Sequence, residues 1–216
     1  GCIVDNGSES YKRFLDGDDT GMEDIITEYR DGLIFYLCKL VGSIEKAEEL
    51  AEDTFVKIGL KRPKDTHRGS FKTWLYTIGR NTAIDYLRKE KRHPTVSQEL
   101  CQELASEEDE LERSYIRQEQ KIALYHALGR IKTEYRQILW LTYIEGFSHK
   151  EAASIMKKTV HSIDTLVYRA KISLKTELDK EGFIYEENLE NNLSAINKID
   201  IDEMKKEISF LKKMIK

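Results

Sequence analysis

The chain has 216 residues, with 35 Lys+Arg against 39 Asp+Glu for a net charge of −4, and 40% hydrophobic against 34% charged residues. That composition supplies one or two small cores and excludes a chain that is disordered throughout. Only Pro63, Pro94 and twelve glycines punctuate it, too few turn signals for an all-β sandwich or barrel, so an all-α protein is expected.

Residues 1–21 are polar and rich in Gly, Asp and Ser, and read as a loose leader with a short helix at Tyr11–Leu15. Residues 22–42 place Ile25, Tyr29, Leu33, Tyr36, Leu37 and Leu40 at helical spacing. Gly42 closes that helix and Ser43 caps the next, over about 44–60, with Ala47, Leu50, Ala51, Thr54, Phe55 and Ile58 inward and an acidic outer face of Glu48, Glu49, Glu52 and Asp53. After a loop broken by Pro63, Ser70 caps a long helix to about Arg92, and Pro94 stops it. Residues 94–113 have the composition of a solvated acidic linker.

Two helices are predicted at Ile116–Leu128 and Thr133–Ile144. Ser148 then opens a capping box with Glu151, and Ala152, Ala153, Ile155 and Met156 face inward. A break at Lys157–Thr159 precedes a helix starting near His161–Ser162, which together make the outline of a helix-turn-helix. In the extension 182–216, Ile201, Met204, Ile208, Leu211 and Ile215 step by 3, 4, 3, 4, which predicts an amphipathic helix that packs on the body or engages a regulator.

The modest net charge hides segregation. Between Lys57 and His93 eleven basic residues face three acidic ones, a local charge of +8, whereas Thr95–Lys121 carries eight acids and three bases, a local −5. Screening confines each field to about 8–10 Å, so the local balance is what a partner meets. The basic stretch interleaves Phe71, Trp74 and Tyr76 with its cations and sets Asn81, Asp85 and Arg88/Lys89 on one helical face. Such a face suits phosphate neutralisation next to a loop that could receive an unstacked base. Cys2, Cys38 and Cys101 form no CxxC spacing, and Cys38 reads as a small core residue. The five histidines stand apart, so no metal site is expected. No Gly-rich phosphate loop, GxSxG or HExxH occurs, and no enzyme and no cofactor are expected. Neither a spanning stretch nor a basic-then-apolar leader is visible, which predicts a cytoplasmic protein.

Two motifs carry a resemblance. Lys46 through Phe55 resembles the D/E-A-E-D-L-x-Q-E-T-F run, and Phe71 through Arg88 the F-x-T-W-L-x-x-I-A-x-N-x-x-x-D-x-x-R run, of the sigma-2 domain in extracytoplasmic-function sigma factors of bacterial RNA polymerase. The stretch from Ala127 to Ala153 is similar to their sigma-4 domain. The resemblance implies a leader (1–21), a sigma-2-like domain (22–93), an acidic linker (94–113), a sigma-4-like helix-turn-helix domain (114–181) and a C-terminal helical extension (182–216).

By that resemblance Glu48, Glu49, Leu50, Glu52, Asp53 and Phe55 would dock core RNA polymerase. Arg68, Gly69, Ser70 and Phe71 would capture a base of the −10 element, Trp74 and Tyr76 would support melting or packing, and Arg80, Asn81, Asp85, Arg88 and Lys89 would contact the duplex. Lys157, Lys158, His161, Ser162, Asp164, Thr165, Tyr168, Arg169 and Lys171 would meet the −35 element. Here the chain departs from its relatives. The turn carries Lys157-Lys158 in place of Gly and an apolar residue, and Asp164 and Leu166 replace the usual Lys and Arg. The expected function is promoter-specific transcription initiation with core polymerase, promoter DNA and an anti-sigma factor as partners. The alternative is a sigma-like decoy that binds an anti-sigma factor without productive promoter recognition.

Overall fold

The structure, a computed structural model, describes residues 6–64, 69–92 and 126–180. The linker 94–113, the extension 182–216, Pro94 and Arg68 lie outside the described residues, as does the expected helix from Ile116 up to residue 125. Within the described residues the regular structure is entirely helical: α1 (Asn6–Leu15), α2 (Thr20–Val41), α3 (Ile44–Lys61), α4 (Phe71–Arg92), a helical stretch at 126–130, α5 (Thr133–Leu139), a π-helical turn at Trp140–Ile144, α6 (His149–Met156) and α7 (Val160–Lys180). They group into two compact units, one holding α1–α4 with residues 148–162, the other holding 126–147 and 163–180.

In the first unit, local chemistry sets the helix ends. Gly42 takes the left-handed conformation at φ 75° and closes α2 through its N–H to the Cys38 carbonyl, the usual glycine solution at a helix C-terminus. The Ser43 hydroxyl accepts from the Lys46 N–H and starts α3. The Ser70 hydroxyl accepts from the Thr73 N–H at 3.2 Å and starts α4. The polar leader turns out to hold α1, longer than expected, with Tyr11 and Phe14 buried.

That core is aromatic. Tyr11 meets Phe71 and Trp74 at ring-centroid distances of 5.6 and 5.0 Å, Phe71 meets Trp74 edge-on at 5.4 Å, and Tyr29 closes on Phe71 at 5.6 Å. The Tyr11 hydroxyl donates to the Pro63 carbonyl, tying the start of the α3–α4 loop to α1. Leu33, Leu37, Ala47, Ile58 and Leu75 fill the remainder at 0% exposure. Cys38 is buried with them, and its sulfur is disulfide-bonded.

In the same unit α6 is opened by the predicted capping box. The Ser148 hydroxyl accepts from the Glu151 N–H while the Glu151 carboxylate accepts from the Ser148 N–H at 2.9 Å. Lys157 closes α6 in the left-handed region at φ 55°. The Thr159 hydroxyl then accepts from the Ser162 N–H, so α7 begins at Val160, slightly earlier than its sequence signal.

In the second unit, Ile138, Leu139, Trp140, Leu141, Leu174 and Leu178 are buried. Arg130 reaches Glu177 at 3.1 Å, and Lys171 lies over the Tyr143 ring. Burial is outweighed at Glu177 by its hydrogen bonds and charge pairing with Lys180 and Arg130. The Lys180 hydrogen bond is the largest influence, and together they hold the carboxyl below its ordinary range.

Candidate polymerase and nucleic-acid interfaces

The outward face of α3 is the first candidate surface. Glu49, Glu52 and Asp53 are exposed and Glu48 is half-buried. Arg30 on α2 lies 3.7 Å from both Glu48 and Glu52, and Lys46 pairs with Glu49. Leu50 and Phe55, expected on the docking face, belong to the core at 4% and 6% exposure. The helical period puts them on the side facing α2 and α4, so they must be taken out of the docking set. Val56 and Leu60, missed in the sequence, stand exposed at 54% and 81%. Glu49, Asp53, Val56 and Leu60 follow one another by 4, 3 and 4 residues, which makes one acidic and apolar stripe.

The second candidate is α4. Phe71, Trp74 and Tyr76 are buried at 0%, 4% and 1%, so these three rings build the scaffold and are not presented to a DNA strand. Tyr76 stacks on Tyr36 at 5.5 Å. Burial raises the Tyr36 hydroxyl above its ordinary range, opposed by the positive charge of neighbouring Arg80. The exposed side of α4 carries Asp85, Arg88 and Lys89, with Arg80 and Asn81 half-buried beside them. Arg88 and Asp85 pair loosely at 3.6 Å on well-exposed side chains, a contact that contributes little to stability. Arg80, Asn81, Ile84, Asp85 and Arg88 line one cleft together with Lys157, a space of about 290 Å³. Gly69 is exposed and Ser70 half-buried ahead of them, and Arg68 falls outside the described residues.

The helix-turn-helix residues are well displayed. Lys157, Lys158, His161, Ser162, Asp164, Tyr168 and Arg169 are exposed, and Thr165 and Lys171 are half-buried. Leu166 is buried at 8%. The apolar residue at that position therefore serves packing, and of the two departures from the expected pattern only Asp164 changes the outward chemistry. Among the described residues no group of three His, Cys, Asp or Glu side chains is placed to hold a metal ion.

Comparison with known proteins gives this arrangement its context. The family model described as Sigma-70 region 2 matches residues 25–93, and that described as Sigma-70, region 4 matches residues 121–174. The chain is an extracytoplasmic-function sigma factor of the sigma-70 family. It is 26% identical over 166 residues to RNA polymerase sigma factor YlaC of Bacillus subtilis (strain 168), covering 74% of this chain and 92% of the relative. It is 27% identical over 154 residues to ECF RNA polymerase sigma factor SigM of the same organism, covering 71% and 93%.

Among solved structures, the sigma factor RpoE in complex with the anti-sigma factor NepR from Bartonella quintana aligns with a TM-score of 0.58 at 24% identity, over 73% of this chain and 98% of that one. CnrH in complex with the cytosolic domain of CnrY aligns with a TM-score of 0.55 at 18% identity, over 82% and 96%. Both likenesses are of fold. As a sigma factor the chain is a transcription initiation factor that works with core RNA polymerase on promoter DNA. The two region matches cover α4 and the helix-turn-helix and leave the extension beyond residue 181 unmatched.

Proposed function

We propose that this sigma factor docks core polymerase through the exposed stripe of α3, formed by Glu49, Glu52, Asp53, Val56 and Leu60. In this reading the −10 element is read by the loop before α4 and by the α4 face with Arg80, Asn81, Asp85, Arg88 and Lys89. The turn Lys157-Lys158 and the outward residues of α7 meet the −35 element. The observation that carries the reading is the separation of charge between adjacent helices: α3 turns carboxylates outward, and α4 turns arginine and lysine outward. Carboxylates repel a phosphate backbone and attract a basic protein surface, while guanidinium and ammonium groups do the reverse. One helix thus suits protein docking and its neighbour DNA.

We also propose domain limits of 22–93 and 114–181, a reading supported by region matches at 25–93 and 121–174. A protein regulator of anti-sigma type is the further partner we infer, a reading supported by one solved structure of similar fold, that of the sigma factor RpoE in complex with the anti-sigma factor NepR. The protein acts by binding, without an enzymatic activity of its own. A cytoplasmic location goes with a role at the polymerase, and among the described residues no helix is long and apolar enough to cross a membrane.

The test is co-purification with core RNA polymerase, followed by run-off transcription from a promoter library. Wild-type chain is expected to bind core and give specific transcripts. Asp53→Lys with Glu52→Lys is expected to abolish co-purification, and undiminished binding would refute the docking face. A decoy would bind a regulator yet yield no specific transcript.

A further inference from the structure

The apolar back of α7 fixes which side of that helix faces outward. Ile163, Leu166, Val167, Ala170, Leu174 and Leu178 are buried. On the other side Asp164, Tyr168 and Lys175 are exposed and Lys171 is half-buried. These four follow one another by 4, 3 and 4 residues, so they form one stripe along the helix. The chemistry along it runs in a fixed order: a carboxylate, then a phenol ring, then two ammonium groups. Tyr168 and, one turn on, Ile172 stand 67% and 49% exposed, an apolar strip beside the charges. Lys171 lies over the Tyr143 ring at 5.1 Å from its centroid, which anchors the far half of the stripe to the body of the second unit.

Resting on the reading of α7 as the −35 surface, we propose that Asp164 and Tyr168 choose the bases of that element. Asp164 accepts from the N4 amine of a cytosine, and Tyr168 packs on the methyl of a thymine within two base pairs of it. An ionised carboxylate is acceptor-only. In the major groove guanine and thymine turn acceptors toward it, cytosine offers a donor, and adenine sets its donor beside an acceptor. A carboxylate is repelled by phosphate, so on a DNA-facing helix its place is over the base edges. Residues near the start of a recognition helix are the ones that reach those edges, and Asp164 stands one turn after Val160, where α7 begins. From Asp164 to Tyr168 the helix rises about 6 Å, less than two base-pair steps of about 3.4 Å. Lys171 and Lys175 come later, where the helix climbs out of the groove and ammonium groups meet the backbone. A lysine or arginine in place of Asp164 would favour guanine, so the aspartate inverts the preferred base pair.

The test uses holoenzyme assembled from the full chain and core RNA polymerase, selecting bound fragments from a double-stranded DNA library randomised across the promoter. Wild type is expected to enrich an upstream block containing a cytosine and, within two base pairs, a thymine. Asp164→Arg should turn that cytosine into guanine, moving the ratio of the two bases by about tenfold or more, and Asp164→Asn should turn it into adenine. Tyr168→Ala should flatten the thymine position alone. Both side chains are exposed, and core binding by each variant, measured in parallel, reports that it is folded. An upstream block that Asp164→Arg and Asp164→Asn leave unchanged overturns base reading by Asp164. A thymine position that survives Tyr168→Ala overturns the part given to the ring. If wild type enriches a −10 block and no upstream block, the reading of α7 as the −35 surface is itself lost, and the base assignment goes with it.

Discussion

A Cβ placed on Gly21 would stand 2.2 Å from the Ser10 carbonyl oxygen, so α1 and α2 cross at a distance that only glycine allows. The obstacle is backbone, which cannot rotate away as a flexible side chain would. Gly21→Ala should therefore destabilise the first unit by about 1–3 kcal/mol or more, the cost of overpacking. Gly42 is a useful contrast, since it has open space around it but a φ of +75°. There Ala should cost about 1–2 kcal/mol from left-handed strain alone. Denaturant midpoints of the two variants check both the order and the mechanism, because Gly21→Ala alone should also free Tyr11 and Phe14 of α1.

Lys157 occupies the left-handed region at φ 55° and ψ 48°, where its N–H bonds the Ala153 and Ser154 carbonyls. A non-glycine residue there carries strain that glycine lacks. Lys157→Gly is expected to raise stability by about 1 kcal/mol, what remains of the 1–2 kcal/mol strain after glycine's greater unfolded-state entropy. Lys157→Ala removes the same charge but keeps the strain, so thermal melting should rise for Gly and not for Ala. Equal melting temperatures would show that strain at this turn is relaxed some other way.

Burial tends to raise the Glu151 carboxyl, but hydrogen bonds from the Ser148 N–H and the Ser148, Thr73 and Ser70 hydroxyls outweigh it and hold the group below its ordinary value of 4.5. A carboxyl depressed in the folded state adds stability above its unfolded value and loses it as pH falls through the lower folded one. The stability advantage of wild type over Glu151→Gln should thus be flat near neutrality and shrink below about pH 4.5. Chemical denaturation of both proteins from pH 7 to pH 3 measures it, and a difference that grows in acid would contradict the assignment.

The sequence showed most clearly what is encoded locally. Ser43, Ser70 and the Ser148–Glu151 box are each satisfied within three residues of themselves, so their helices could be started from the chain alone. Periodicity also put Leu50 and Phe55 inward. It was the motif resemblance, which follows letters and not faces, that extended the docking set over them. Helix α1 was harder to see because its apolar residues are few and the rings that meet Tyr11, those of Phe71 and Trp74, come from α4, some 60 residues on. The Thr73–Glu151 contact spans 78 residues, and no local pattern announces it. The outward Leu60 was overlooked for the same reason: an apolar residue on a polar face is informative only once the face is known.

That residue provides a sharp test of the docking stripe. Leu60 is 81% and Val56 54% exposed, whereas Leu50 is 4% exposed. A leucine fully buried on binding contributes about 1.5–3 kcal/mol, and its loss should weaken core polymerase affinity by roughly tenfold to a hundredfold. Leu60→Ser should do so while changing folding stability by less than about 0.5 kcal/mol, as surface substitutions do. Leu50→Ala should behave in the opposite way, costing about 2–5 kcal/mol of stability through the cavity it leaves, with polymerase affinity of the folded fraction preserved. Calorimetric unfolding paired with equilibrium binding to core polymerase separates the two variants. If Leu60→Ser binds as wild type does, polymerase contact is confined to the carboxylates Glu49, Glu52 and Asp53, and the salt dependence of binding should then be steep.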